Sequence, residues 1–305
     1  MSLDSKTKIL TMEYGPVAIE SALNERVTII GGDGLPYTGV FRLRHNTKHR
    51  NIIFRQNSGG GGKYRKSVIA SADHAWRLRD GSMTLSLNVG DVLKPTSSNI
   101  ERDALAVVHG LVFGDGTAHK RRVDGVNHFS QGRTYASIRI CKQDSVRDEI
   151  HTILDAGGFK FTTPAHADGD RVYYIGKLEG SKELPFTCDP QYIAGFIHGW
   201  WLADGHKAQF NSTEISTSNE LAAEWLETHV SYAGYSTTMH RIIKRKLGDG
   251  SYPNGKPLHF LRLRRRVDWK VESIFDAGSG DSYFIENSTQ CTLLLSNGLL
   301  TGVGA

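Results

Sequence analysis

Residues 195–205 read Gly-Phe-Ile-His-Gly-Trp-Trp-Leu-Ala-Asp-Gly, and residues 106–116, Ala-Val-Val-His-Gly-Leu-Val-Phe-Gly-Asp-Gly, repeat their pattern. Small residues recur at every fourth place, Ala106, Gly110 and Gly114 in one stretch and Gly195, Gly199 and Ala203 in the other. On a helix that spacing gathers them into one stripe, and a stripe without side-chain bulk lets two helix backbones approach closely. Both stretches end in Asp-Gly, with the glycine expected to supply a left-handed cap. Two such helices side by side would bring Asp115 and Asp204 together at one end. Carboxylates at helix C-termini oppose the macrodipole and repel each other, so the pair calls for a cation. Oxygen ligands of this kind suit Mg²⁺. The alternative is a pair of core helices that merely share an ending.

The repeat extends beyond these helices. After the first Asp-Gly the pattern predicts a strand at 135–141 and a helix at 145–156; after the second, a strand at 214–217 and a helix at 220–232. Matching Phe159 to Tyr235, an offset of 76, lays Val146, Ile150 and Leu154 over Ala222, Leu226 and Val230. Two α/β halves related by a pseudo-twofold axis follow, with the glycine-lined helices as their seam. Further strands are expected at 172–177, 240–247 and 258–266. The last two form a hairpin bearing Arg241, Lys244, Arg245, Lys246, Arg262, Arg264, Arg265 and Arg266, with Asp249 as its one acid. Alternation puts Arg262, Arg264 and Arg266 on one face and Leu261 and Leu263 on the other. An arginine face fits phosphates and base edges, or else a solvated surface.

Outside this middle region the chain reads as β structure. Strands are expected at 7–11, 27–30, 40–43, 52–55, 67–71, 75–78 and 84–87, separated by turns such as GGDG at 31–34 and DG at 80–81. SGGGGK at 58–63 lacks the full phosphate-loop pattern and reads as a hairpin tip. Residues 94–99, KPTSSN, mark a boundary. From 267 the β pattern returns at 269–275, 282–285 and 292–300, the last with Asn297-Gly298 as a tight turn, and the piece is too short to fold alone. It would complete the sheet begun by the first residues and make the middle region an insertion.

Composition sets the class. The 305 residues are 39% hydrophobic with a formal charge of +5, which permits a polyanionic partner without demanding one. Cys141, Cys188 and Cys291 are too sparse for a disulfide framework and point to a reducing, intracellular setting. No apolar run suggests a membrane span, and the first residues do not read as a signal peptide.

The pair VHGLVFGDG (108–116) and IHGWWLADG (197–205) resembles the two motifs of LAGLIDADG homing endonucleases, and with the repeat and the basic hairpin the likeness covers roughly 101–266. The flanks resemble the splicing domain of an intein. Ser2-Leu-Asp-Ser-Lys-Thr-Lys-Ile is similar to the first splicing block, Ser71-Ala-Asp-His74 to the T-x-x-H block, and 292–301, TLLLSNGLLT, to the approach to the C-terminal junction. The resemblance implies an all-β Hint-type splicing domain formed from both chain ends, 1–97 and 267–305, interrupted by a pseudo-twofold α/β endonuclease domain, 98–266. It implies Mg²⁺-dependent hydrolysis of both strands of an asymmetric double-stranded DNA site by a monomer, in a precursor with flanking exteins and without a membrane. Asp115 and Asp204 become the metal ligands, with Lys177 and Lys244 as catalytic lysines and Arg139, Arg241, Lys244, Lys246, Arg262, Arg264 and Arg266 as DNA contacts. Ser2, Ser71 and His74 would serve the splicing chemistry. Family members end in His-Asn, whereas Gly302 and Val303 stand here; valine has no side-chain amide to cyclise, so complete splicing is expected to fail. Cys291 reads as a packed thiol, and His109 and His198 as helix-packing residues.

Overall fold

A computed structural model describes the chain except residues 1, 58–63, 96–99, 120, 124–125, 129–134, 141–143, 162–170, 177–181, 209–211, 244–256, 287–291 and 303–305. Side chains at 117–137, 139–145, 171–176 and 207–208 also lie outside the description. Among the described residues no helix is long and apolar enough to cross a membrane.

Mixed α/β architecture emerges, with its largest sheet built from both ends of the chain. Eight antiparallel strands follow the order Gly15–Ala18, Lys8–Thr11, Arg26–Ile30, Pro36–Gln56, Arg65–Ser71, Leu3–Asp4, Trp269–Glu286 and Val92–Leu93. Leu3 pairs with Tyr283 and also with Ala70, so the first strand is enclosed on both edges. A core of Ile9, Val27, Phe41, Phe54, Val68, Trp76, Trp269, Ile285 and Leu295 draws on residues from both chain ends.

Here the observed strands are longer than expected. The separate strands at 40–43 and 52–55 are parts of one 21-residue strand, and 269–275 joins 282–285 in one of 18 residues. The polar run RHNTKHRN at 44–51 reads as a connection, yet it continues as a ribbon because each long strand satisfies the other's backbone, from Trp269↔Gln56 to Glu286↔Val40. Three register shifts and Asn46 at φ 54° absorb the ribbon's irregularity.

Helix α1 (Ala104–Asp115) and helix α3 (Pro190–Asp204) form the centre of the remainder. Asp103 caps α1 by accepting from the Ala106 amide at 2.9 Å; Asp189 caps α3, whose first residue is Pro190. Each helix leads to a small antiparallel sheet and a second helix. Gly116–His119, Tyr135–Ile140 and Arg171–Gly176 accompany α2 (Asp144–Ala156), while His206–Ala208, Ser212–Thr217, Leu258–Arg265 and Tyr235–Ile243 accompany α4 (Glu220–His229). The offset of the repeat is reproduced in burial: Ile150 and Leu154 match Leu226 and Val230, all fully buried. The second predicted helix ends early, at His229, and a 3-10 turn, Val230–Ala233, carries the chain to Gly234 at φ 72°.

Candidate functional site

The seam between α1 and α3 is a backbone-to-backbone contact. A Cβ placed at Gly110 would lie 2.6 Å from the Trp200 amide nitrogen and nearer still to the Phe196 carbonyl; one at Gly199 would lie 2.8 Å from the Val107 carbonyl carbon and nearer still to its oxygen. At Gly195 it would meet the Asp103 oxygen at 2.5 Å, and at Gly114 the Ala203 methyl at 2.5 Å. The small-residue stripes therefore face each other along the whole seam, as their four-residue spacing demands.

The caps differ from the expectation. Gly116 and Gly205 are extended, at φ −83° and −84°, because each helix runs directly into a strand. Glycine is required there for space: a Cβ at 116 would lie 2.5 Å from the Val112 Cα, and one at 205 would overlap the Trp201 ring and lie 2.7 Å from its Cγ.

Both helices end at the same place. An Asp204 carboxylate oxygen lies 3.1 Å from where a Cβ of Gly114 would sit, next to Asp115, and also accepts from the Trp200 indole N–H at 3.1 Å. Lys182, which sequence reasoning missed, interacts electrostatically with both acids. Its Nζ donates to the carbonyls of Phe113 at 2.9 Å and Gly114 at 3.1 Å, in the last turn of α1. Partial desolvation lowers the Lys182 pKa, while Asp204 and then Asp115 pull it upward. An ammonium thus offsets the charge that the helix ends concentrate. No motif spacing marks Lys182; its only sequence signal is a basic residue shortly before the second copy. Lys177 and Lys244 lie outside the described residues.

Hard oxygen donors, two carboxylates beside main-chain carbonyls, suit Mg²⁺. No group of three or more His, Cys, Asp or Glu is placed to hold a metal among the described residues, so most ligands would have to be water or phosphate. The donor set fits a magnesium ion held by one or two carboxylates.

The arginine-bearing strand behaves partly as expected. Leu261 and Leu263 are buried in the core, and Arg262 and Arg264 occupy the other face. Arg262 is held by Glu214 on the adjacent strand at 2.5 Å, and Glu214 also binds the His206 ring at 2.6 Å. This neutralising acid lies in another strand, out of sight in a reading of the hairpin alone. Arg266 leaves the row: the strand ends at Arg265, and Arg266 turns at φ 53° to send Val267 into the core of the large sheet. Arg241 is exposed on Tyr235–Ile243. Arg139 lies within Tyr135–Ile140, opposite Val172, its side chain outside the description, as is all of Lys246. His109 and His198 are packing residues, bound to Tyr192 and the Glu183 carbonyl and to Glu149 respectively.

A second cluster lies in the large sheet. Ser2 is buried; its amide donates to Ser71 Oγ at 3.0 Å, and its hydroxyl is 2.6 Å from that of Ser282. Ser282 in turn meets Thr47 at 2.5 Å. His74 is buried beside them, its Nε2 bound to the Thr301 hydroxyl and its Nδ1 without a partner among the described residues. Gly302 donates to the Ala75 carbonyl at 2.9 Å. Ser2, His74 and Gly302 share a cavity of about 10 Å³, the size of one water. The three splicing candidates are therefore brought together with the C-terminal strand, while Val303 and Cys291 lie outside the described residues.

Burial lowers the His74 pKa from 6.5 to about 3. The folded state thus binds this proton less readily than the unfolded state. The neutral imidazole contributes stability in full above pH 6.5, and the contribution is lost as pH falls towards about 3. In urea titrations at stepped pH, the stability difference between the protein and His74→Gln is expected to shrink steadily across that window. A constant difference would place the ring in contact with solvent.

No family model matches the chain, and no curated protein matches it. Solved structures with a similar arrangement over about half of the chain include LAGLIDADG proteins. One is I-DmoI in complex with DNA and Mn, 15% identical with a TM-score of 0.35, over 53% of this chain and 89% of that one. Another is the N-terminal LAGLIDADG domain of DUF199/WhiA, 8% identical with a TM-score of 0.34, over 52% and 74%. At these scores the site is read from its own residues.

Proposed function

We propose that the chain is a site-specific endonuclease of the LAGLIDADG kind that cleaves double-stranded DNA, carried within a Hint-type domain of an intein. The observation that carries the nuclease reading is the glycine-to-backbone seam ending in Asp115, Asp204 and Lys182. In this reading residues 98–266 form the nuclease and residues 1–97 with 267–305 form the splicing domain. I-DmoI was solved with DNA and Mn and with its target DNA and Mg.

Asp115 and Asp204 would hold Mg²⁺, which when bound supplies charge neutralisation at a phosphodiester and an acidified water. The chain's own part is to bring one acid from each half to one point and to hold Lys182 where negative charge develops. Arg241, Arg262 and Arg264 are placed to orient the duplex in its major groove. Both motifs lie in one chain, so a single copy builds the site, and unequal halves favour an asymmetric target.

The test is strand cleavage of a duplex spanning the uninterrupted host-gene sequence, with Mg²⁺ and with excess chelator. Cleavage is expected only with Mg²⁺; cleavage unaffected by chelation would end the metal assignment. Lys182→Met is expected to slow cleavage about 100-fold while leaving duplex affinity within a factor of a few. An unchanged rate would reduce Lys182 to a helix cap.

The buried cluster supports the splicing part. Ser2 Oγ would add to the carbonyl carbon of the preceding residue, the C–N bond to Ser2 would break, and the hydroxyl proton would pass to the freed amine, leaving an ester. His74, kept neutral by burial, can accept or return a proton at its unpartnered Nδ1. Val303 has no side-chain amide to cyclise and Gly302 no side chain to assist, so release of a downstream flank is expected to fail and the ester to accumulate. Hydroxylamine should therefore cleave a test flank fused ahead of Ser2, and Ser2→Ala should abolish that cleavage.

A further inference from the structure

The turn that precedes the C-terminal strand is held from outside itself. Residues 295–299 close on themselves through Gly298 N to the Leu295 carbonyl at 2.8 Å and Leu295 N to the Leu299 carbonyl at 2.9 Å. This leaves the carbonyls of Ser296, Asn297 and Gly298 turned outward, and each receives a side-chain donor from elsewhere. Ser231 donates to Ser296 at 3.1 Å, Lys66 donates to Asn297, and Ser236 donates to Gly298 at 3.4 Å. Ser231 and Ser236 belong to the α/β region, on Val230–Ala233 and Tyr235–Ile243. Lys66 comes from the large sheet and also stands 4.2 Å over the Trp269 ring.

Space around the turn is closed as well. Gly298 has φ 76°, and a Cβ there would lie 2.6 Å from the Ser236 hydroxyl and 3.0 Å from that of Ser231. Two residues further on, Leu300–Gly302 pairs with Thr292–Leu294 and sets Thr301 against His74 and Gly302 against Ala75. The turn thus connects hydroxyls of the α/β region with the buried Ser2–His74 cluster.

We propose that Ser231, Ser236 and Lys66 are positioning residues for the Ser2–His74–Thr301 centre, holding the 295–299 turn so that Leu300–Gly302 lies against His74. The α/β region then serves as a structural part of that centre and not only as a passenger. This rests on reading the centre as one for acyl transfer. The logic is that of a supporting shell: a group held by one flexible strand is placed only as well as the turn that aims it.

The full chain with a test flank ahead of Ser2 is compared with its Ser231→Ala/Ser236→Ala variant and with Ser236→Ala alone. Three readouts are taken: hydroxylamine cleavage at Ser2, hydrogen exchange of the Gly302 amide, and the ¹⁵N resonance of His74 Nε2. The double variant is expected to cleave about tenfold more slowly and to exchange the Gly302 amide about tenfold faster. The His74 resonance should shift as the Thr301 contact loosens, with exchange at 52–54 and DNA cleavage unchanged. Wild-type cleavage, exchange and resonance in both variants would overturn the proposal. If the parent protein itself gives no hydroxylamine product, the acyl-transfer reading fails. The Gly302 and His74 readouts then decide the positioning role alone. Should the double variant not fold, the same readouts in Ser236→Ala decide it.

Discussion

Gly199→Ala is expected to destabilise the protein by about 3 kcal/mol or more and to abolish DNA cleavage. The added methyl would lie 2.8 Å from the Val107 carbonyl carbon and 2.9 Å from the Leu111 nitrogen. These are atoms of the α1 backbone, not ends of side chains that could swing aside. The two helices would have to part along their length, and the ends bearing Asp115 and Asp204 would part with them. Chemical denaturation measures the first effect and strand cleavage the second. Gly280→Ala is the control, because a methyl there meets only His49 ring atoms, the nearest at 3.5 Å, an ordinary contact. It should stay within about 1 kcal/mol of the parent. If Gly199→Ala unfolded at the parental denaturant concentration, the seam would be looser than its geometry.

Asp204→Asn and Asp115→Asn are each expected to reduce cleavage by about 1000-fold while leaving the fold intact or slightly more stable. The gain in stability follows from position. A negative charge at the C-terminal end of a helix works against the helix dipole by about 0.3–1 kcal/mol, and each substitution removes one. Asparagine keeps an oxygen for the Trp200 indole, so packing at Asp204 need not change. A site that is less stable for carrying its acids, and inert without them, is what a charged reaction centre requires. Cleavage within a factor of a few of the parent would remove the helix ends from the chemistry.

Much of this seam was legible because both of its determinants are local. A four-residue spacing of small residues fixes a stripe, and Asp-Gly at its end fixes where the acid falls. The second helix of each half was legible for the same reason: Ile150 and Leu154, and Leu226 and Val230, repeat at helical spacing. What escaped were the partners supplied by distant segments. Lys182 reaches Phe113 and Gly114 across some seventy residues, and Glu214 meets Arg262 across forty-eight. Neither belongs to a periodic pattern. Polar residues 44–51 read as a break because their strand character comes from pairing with residues 275–282, not from propensity. The glycine caps were misjudged because Asp-Gly at a helix end suits both a left-handed cap and an abrupt passage into a strand.

Leu3–Asp4 lies between Arg65–Ser71 and Trp269–Glu286, so one of its edges is completed by residues made after the whole α/β region. A chain emerging from the ribosome would expose that edge while everything from Ala104 to Arg265 is already free to collapse around its paired helices. Ser2 and His74 would then meet Thr301 only after the α/β region has emerged, when Tyr283 pairs with Leu3. Pairing across some 280 residues is expected to be the slow step of folding, so the buried cluster is expected to close after the interior module has formed.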